Sequence, residues 1–315
     1  MADDSNSRYA DWKAYEYNPS TVAAAIFMLL FLLSTVLHSY QLFRTRTWFF
    51  IPVVIGGWCK LHKQIRFQLF YITFSLSIAE KLETIVESIG YVCRLISSRQ
   101  SPDWALGPYI IQSAFILVAP ALFAASIYME LGRIIVLVRG ENHSVIRVNW
   151  LTKIFVAGDV FSFLMQSSGA GLMVKSDFSK DTAENIIVGG LFVQVIFFCL
   201  FIVSAVLFQR RIGKSPTDES HQLSHTWRKH MYALFSTSLL ILTRSIVRVV
   251  EYLQGQHGYL LQHEVFLYVF DAVFMFSVMV IFNVLHPSEI NCLLGRGAKM
   301  MKKGGIIVSE FELRV

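Results

Sequence analysis

The stretch LTRSIVRVVEY, residues 242–252, places two arginines and a glutamate inside a run that otherwise has the composition of a membrane helix. Between residues 232 and 253 there are eleven Leu, Ile, Val and Phe side chains. Together they favour insertion by on the order of −5 kcal/mol. Each charge near a helix centre costs about 2.5 to 3.5 kcal/mol, and less toward the ends. Arg244, Arg248 and Glu251 therefore cancel or exceed the favourable sum, and this helix needs partners. Their i, i+4, i+7 spacing puts all three on one face. Arg248 and Glu251 can pair along the helix. Arg244 then requires a carboxylate from another helix, for which Asp271, Glu87 and Asp159 are the candidates.

The rest of the chain makes a membrane helix the expected setting. Of 315 residues, 54% are hydrophobic and 16% charged, with a mean hydropathy of +0.51. Soluble domains are nearer 25% charged. Six apolar runs are long enough to cross a hydrocarbon core, at roughly 20–43, 107–129, 151–174, 185–208, 231–253 and 264–285. The region 47–96 is less regular: TWFFIPVVIGGW is followed by basic CKLHKQIR, then FQLFYITFSLSIA and EKLETIVESIGYVCRLI. Counted as one interrupted span, it brings the total to seven. The expected fold is an all-α, polytopic bundle of seven transmembrane helices.

Lysine and arginine placement orients the bundle. Loops on the side of the C-terminus hold sixteen, against six on the other side, Arg94 and Arg99 among them. The positive-inside rule puts the N-terminus outside and the C-terminus in the cytosol. A separate crossing by residues 67–79 would move the N-terminus inside, and its acidic composition argues against that. The expected organisation is an extracellular segment 1–19, a membrane domain 20–286 and a cytosolic tail 287–315. The acidic N-terminus lacks the pattern of a cleavable signal, so the first span is expected to direct insertion. The sequon at Asn142 falls in a cytosolic loop, where no glycosylation is expected.

Several chemistries lack their residues. Gly213-Lys214-Ser215 resembles the end of a phosphate loop, but Phe208 stands where its first glycine must be, which argues against ATP hydrolysis. There is no GxSxG elbow and no HExxH pair, and no enzyme activity or cofactor is expected. Four scattered cysteines show neither metal-ligand spacing nor a disulfide framework. His221, His225 and His230 read as a solvated cytosolic loop rather than a metal site. The basic loops match membrane orientation, so no nucleic-acid partner is implied.

What stands out is the polar set within the spans: Glu87, Asp159, Gln166, Arg244, Arg248, Glu251 and Asp271, with Gln194 in span five and His38 and Gln41 at the end of span one. In the seven-span arrangement, Arg244, Glu251, Asp271 and Glu87 gather in the outer half of the bilayer. Two readings stay open. The network fixes helix register, or it lines a site for the polar head of an amphipathic molecule. A proton-coupling role for Asp159 or Asp271 overlaps with the second. The small residues of SSGAG (167–171), GG (189–190) and PALFAAS (120–126) allow close helix approach, and Pro120 is expected to kink its helix.

An ordered set of motifs carries a resemblance. YEYNPS (15–20), His38, ESIGYVCR (87–94), LVAPALFAASIYMELGR (117–133) and FVAGDVFSFLMQSSGAG (155–171) are followed by GGLFVQ (189–194), RSIVRVVEY (244–252), HEVFLYVFD (263–271) and HP (286–287). The chain resembles the RTA-like family of fungal seven-span proteins, also called the lipid-translocating exporter family. The resemblance implies a plasma-membrane or endomembrane protein. Members are associated with export of sphingoid long-chain bases, resistance to sterol analogues or drugs, and haem-precursor uptake, and some occur beside secondary-metabolite gene clusters. Membrane lipids and an amphipathic small molecule are the implied partners. One departure concerns residues 58–86, which separate IPVVIGG (51–57) from ESIGYVCR where the family pattern joins them almost directly. This segment reads as an insertion or a retained intron.

The expected function is movement of an amphipathic lipid or lipid-like toxin across the bilayer. Glu87, Glu251 and Asp271 would attract an amino head group, and the two arginines would hold those acids ionised and could contact a phosphate. The alternative is a seven-helix sensor of lipid asymmetry or stress that acts on cytosolic partners through 209–230 and 288–315.

Overall fold

A computed structural model describes residues 19–44, 86, 88–100, 106–173, 180–254, 258–294, 300–303 and 306–309. The long helices are α1 (Thr21–Arg44), α3 (Leu106–Leu137), α4 (Val148–Met173), α5 (Lys180–Lys214) and α7 (Ser224–Leu253), with a shorter α2 over residues 88–98. A five-residue helix α6 (Asp218–Gln222) precedes α7. A single-turn helix α8 (Tyr259–Gln262) precedes the last crossing, which is assembled from α9 (Glu264–Leu267), a π turn (Tyr268–Val273) and α10 (Phe274–Val284). A docked helix α11 (Ser288–Leu293) follows, and strands β1 (Met300–Lys303) and β2 (Ile306–Ser309) pair antiparallel in the tail. The described apolar part is thus helical throughout.

Five described segments have the length and composition to cross a membrane: Val118–Leu137, Val148–Leu172, Asp181–Lys214, Ser224–Leu253 and Glu264–Asn291. Thr21–Leu37 is a shorter apolar helix. This makes the chain a multi-pass membrane protein. Residues 1–18 and most of the irregular region 47–96, including Glu87, lie outside the described residues.

Packing follows from what lipid does not do. Lipid tails solvate a leucine as well as another helix does, so close backbone approach and hydrogen bonds hold the bundle together. The most extensive helix pair is α4 with α5. A Cβ at Gly190 would stand 2.9 Å from the Ser162 carbonyl oxygen, and one at Gly169 would stand 2.8 Å from that of Ala183. Only glycine lets these backbones approach so closely. Outward positions such as Leu239, Ile246 and Leu253 on α7 remain exposed apolar groups that lipid can cover. On the inside, Tyr128 packs among Phe155, Phe198 and Phe201, joining α3, α4 and α5.

Helix α3 runs unbroken through Pro120. Proline has no N–H to give the carbonyl four residues earlier, so the Ile116 oxygen lacks its usual donor within the helix. That oxygen finds a donor on another helix.

Candidate functional site

Arg244 lies in the last third of α7 and is buried. Its Nη2 donates to the Ile116 carbonyl at 2.9 Å, the oxygen that Pro120 leaves unpaired. Its Nε donates to Asp271 Oδ1 in the π turn. The other Asp271 oxygen accepts from the Tyr91 hydroxyl of α2 at 3.5 Å. One arginine therefore joins α3, α7 and the last crossing. A π turn widens the helix by one residue per hydrogen-bonded ring and often marks functional positions. Here it includes Asp271, whose carboxylate is aimed at Arg244.

One turn further along α7, Arg248 Nη1 donates to Glu251 Oε2 at 2.9 Å. The two side chains are only 18% and 13% exposed. Arg244, Arg248, Glu251 and Asp271 form the polar side of a cavity whose apolar walls include Val247, Leu260, Phe266 and Phe270. Its volume is about 20 Å³, room for one group the size of a water molecule. Two cations and two anions thus face one small space with hydrocarbon beside it.

A second network braces the same crossing. Arg94, fully buried on α2, pairs with Glu264 at 2.8 Å and donates through Nε to the Tyr268 hydroxyl at 3.0 Å. Glu264 also accepts the Ser20 backbone N–H at 3.0 and 2.8 Å, which anchors the start of α1. Glu264, Tyr268 and Asp271 follow i, i+4, i+7 spacing, so one face of the last crossing carries both networks.

Asp159 and Gln166 are held elsewhere. Asp159 Oδ2 accepts the Tyr128 hydroxyl at 2.9 Å, and Oδ1 is buried with no hydrogen-bond partner among the described residues. Gln166 Nε2 donates to Ser162 Oγ at 2.7 Å and to Gln194 Oε1 at 3.3 Å. Their partners lie on α3, α4 and α5, and none belongs to the Arg244 cluster.

At the other end of α7, His230 is fully buried between two acids, with Nδ1 3.1 Å from Glu130 Oε1 and Nε2 3.4 Å from Glu289 Oε2. Lys229 donates to both Glu289 oxygens at 2.6 Å. The expectation of a solvated histidine loop fails for His230, because α7 begins at Ser224 and carries it into the interior. Upstream, Thr217 caps α6 and donates its hydroxyl to the Val138 carbonyl at 2.6 Å. The connection from α5 to α7 is therefore packed against α3. Among the described residues no cluster of three or more His, Cys, Asp or Glu has the geometry to hold a metal ion.

A family model described as RTA1 like protein matches residues 82–292. That interval contains every contact of the four networks except those of Ser20. The chain belongs to the RTA1-like family. It is 38% identical to "Protoporphyrin uptake protein 1" of Saccharomyces cerevisiae over 86% of this chain and 90% of that one. It is 38% identical to "Protein RTA1" of the same organism, over 88% and 85%. "Sphingoid long-chain base transporter RSB1" from Saccharomyces cerevisiae strains is 26% identical over 70% of this chain and 66% of that protein. No solved structure matches the chain.

Of the seven residues singled out from the sequence of this RTA1-like chain, four converge on one cavity, Asp159 and Gln166 form a separate stripe, and Glu87 lies outside the described residues. Sequence reading misses Tyr91, Arg94, Glu264 and Tyr268 near the cavity, and Glu130, His230 and Glu289 at the far end. Arg94 reads as a loop charge in the sequence, yet the structure buries it completely. The signal available is spacing: Glu264 lies one heptad before Asp271, and Tyr91 and Arg94 lie i, i+3 apart.

Proposed function

We propose that this protein moves amphipathic lipids or lipid-like toxic compounds across the bilayer without hydrolysing ATP, through the cavity formed by Arg244, Arg248, Glu251 and Asp271. The observation that carries this reading is the mixed-charge, water-sized cavity beside the apolar surfaces of Phe266 and Phe270. An ammonium head is about as large as a water molecule and would fit between Glu251 and Asp271, with its chain left in hydrocarbon. A phosphate or carboxylate would instead meet the two arginines.

The relatives support the same class. One is named for sphingoid long-chain bases, which carry a cationic head, and another for protoporphyrin, which carries carboxylates. A site with two cations and two anions offers a counter-charge to either. Family and relatives' names point to transport rather than catalysis. The arrangement that goes with this reading has seven spans, an external N-terminus 1–19, a membrane domain 20–286 and a cytosolic tail 287–315. The cavity then lies in the outer half of the bilayer, and the plasma membrane is the expected location.

The test is flux of labelled long-chain base in proteoliposomes containing purified protein, against protein-free vesicles and vesicles with Glu251→Gln. Faster equilibration with the wild-type protein alone supports the reading. Binding without flux would overturn it in favour of a sensor. The docked α11 and the packed 209–230 connection would then be the surfaces that face cytosolic partners.

A further inference from the structure

Asp159 differs from every other buried acid described above in having no cation among the described residues. Asp271 has Arg244, Glu264 has Arg94, and Glu130 and Glu289 have His230. Asp159 is 4% exposed in a helix that spans the membrane, and its hydrogen-bond partner among the described residues is the Tyr128 hydroxyl. The rings packed on Tyr128 are Phe155, Phe198 and Phe201, none of which stabilises a carboxylate. The helices packed most extensively on α4 are α3 and α5. From α3 the titratable group that meets Asp159 is Tyr128, and from α5 no charged side chain among the described residues pairs with it. An ionised carboxylate in such a place, with one neutral hydrogen bond, is costly, and the neutral acid is the cheaper species.

The second observation is a stripe along the same helix. Asp159, Ser162 and Gln166 follow i, i+3, i+7 spacing and lie on one face of α4. Ser162 Oγ donates to the Gly190 carbonyl at 2.8 Å and accepts from Gln166, which reaches Gln194 on α5. The stripe covers about 10 Å along the axis at about 1.5 Å per residue. Both its ends carry a buried oxygen without a hydrogen-bond partner among the described residues, Asp159 Oδ1 and Gln166 Oε1. Buried polar oxygens are ordinarily paired, so two on one face of a membrane helix invite a functional account.

We infer that Asp159, with the Ser162–Gln166 stripe, is the proton-binding element of the transport cycle, so that substrate movement is coupled to a proton. This rests on the transport reading above and adds its energy source. In the step, Asp159 Oδ1 takes a proton from hydronium of one aqueous phase, forming the O–H bond as an oxonium O–H breaks. Later it returns the proton to water of the other phase. Tyr128 steadies Oδ2 in both states, and no other reactant is required.

Two measurements on the full chain test this. The first is pH-difference infrared spectroscopy of purified protein, read at the carbonyl stretch of protonated carboxyls. A band present in the wild type and absent in Asp159→Asn is the expected result, with Tyr128→Phe shifting it. An identical band in Asp159→Asn overturns the assignment whether or not transport is observed. The second is accumulation of labelled long-chain base in proteoliposomes under an imposed pH gradient. With one proton exchanged per molecule, a one-unit gradient supports up to about tenfold accumulation. The amine distributes with a pH gradient by itself, so protein-free vesicles set the baseline. Asp159→Asn, whose amide oxygen can still accept from Tyr128, should show no accumulation above it. Wild-type flux that ignores the gradient overturns the coupling and leaves the transport reading standing. Complete absence of wild-type flux overturns the transport reading, and the infrared result then decides the proton site by itself.

Discussion

Pro120 and Arg244 meet through one atom: the Ile116 carbonyl, which the proline leaves without its helical donor, accepts Arg244 Nη2 at 2.9 Å. A defect in one helix thus becomes the acceptor that helps hold a buried charge on another. The same guanidinium neutralises Asp271, so removing it leaves a carboxylate without its cation and a carbonyl without its donor in the interior. Arg244→Ala is expected to cost about 3–5 kcal/mol, the usual loss when one partner of a buried ion pair is deleted. Adding Pro120→Ala to Arg244→Ala returns an N–H to the Ile116 carbonyl and should recover about 1–3 kcal/mol. Thermal or denaturant melting of the two variants in detergent checks this. A double variant no more stable than Arg244→Ala would refute the shared-acceptor account.

Glu251 separates binding from stability more cleanly. Its pair with Arg248 is largely buried, the side chains 13% and 18% exposed, so Glu251→Ala should cost about 3–5 kcal/mol. The variant to test is Glu251→Gln, whose amide oxygen can still accept from Arg248. Cells carrying Glu251→Gln should lose resistance to added long-chain base while surface expression stays normal. Expression falling in step with resistance would mean that the pair only holds the helices together.

The glycines of α4 and α5 make opposite predictions according to the space each one faces. Gly190→Ala drives a Cβ to 2.9 Å from a backbone oxygen. It should destabilise by about 1–3 kcal/mol. Gly171 has nothing within 4 Å of a built Cβ. Gly171→Ala should therefore be neutral or stabilise by up to about 1 kcal/mol. Melting temperatures of the two variants, measured side by side, decide the matter.

His230 is expected to hold the tail helix. His230→Ala leaves Glu130 buried without its imidazole and removes one of the two side chains that meet Glu289. Hydrogen exchange across α11 should rise sharply, with a stability loss of about 3–5 kcal/mol. Lys229→Ala removes a more exposed contact and should raise exchange in α11 with a loss of about 1 kcal/mol or less. Unchanged protection of residues 288–294 in His230→Ala would remove the latch.

The segment 58–86 is open to direct detection. If it is a retained intron, peptides from residues 67–80 will be missing from digests of protein purified from its natural source. Finding them establishes the insertion as part of the mature chain.

Composition and periodicity were enough to determine a helical membrane protein, because roughly 20-residue apolar runs admit almost no other structure in lipid. They also marked α7 as a helix that needs partners, since three charges outweigh what eleven apolar side chains contribute to insertion. Which partners it takes could not be read from the chain. Spacing along one helix fixes only which side chains share a face, and the seven-span arrangement gathered Asp271 and Glu87 with Arg244 without choosing between them. The tertiary structure chose Asp271 by placing a π turn beside α7, and it left Asp159 against Tyr128 and a set of aromatic rings. It also buried Arg94 and His230, which hydropathy assigns to loops, because a side chain's burial depends on what packs over it. Arg244 stands 128 positions from Ile116 and 27 from Asp271, yet it bonds to both. Helical periodicity relates residues only within one helix, so pairings across such gaps exist only once the helices have packed.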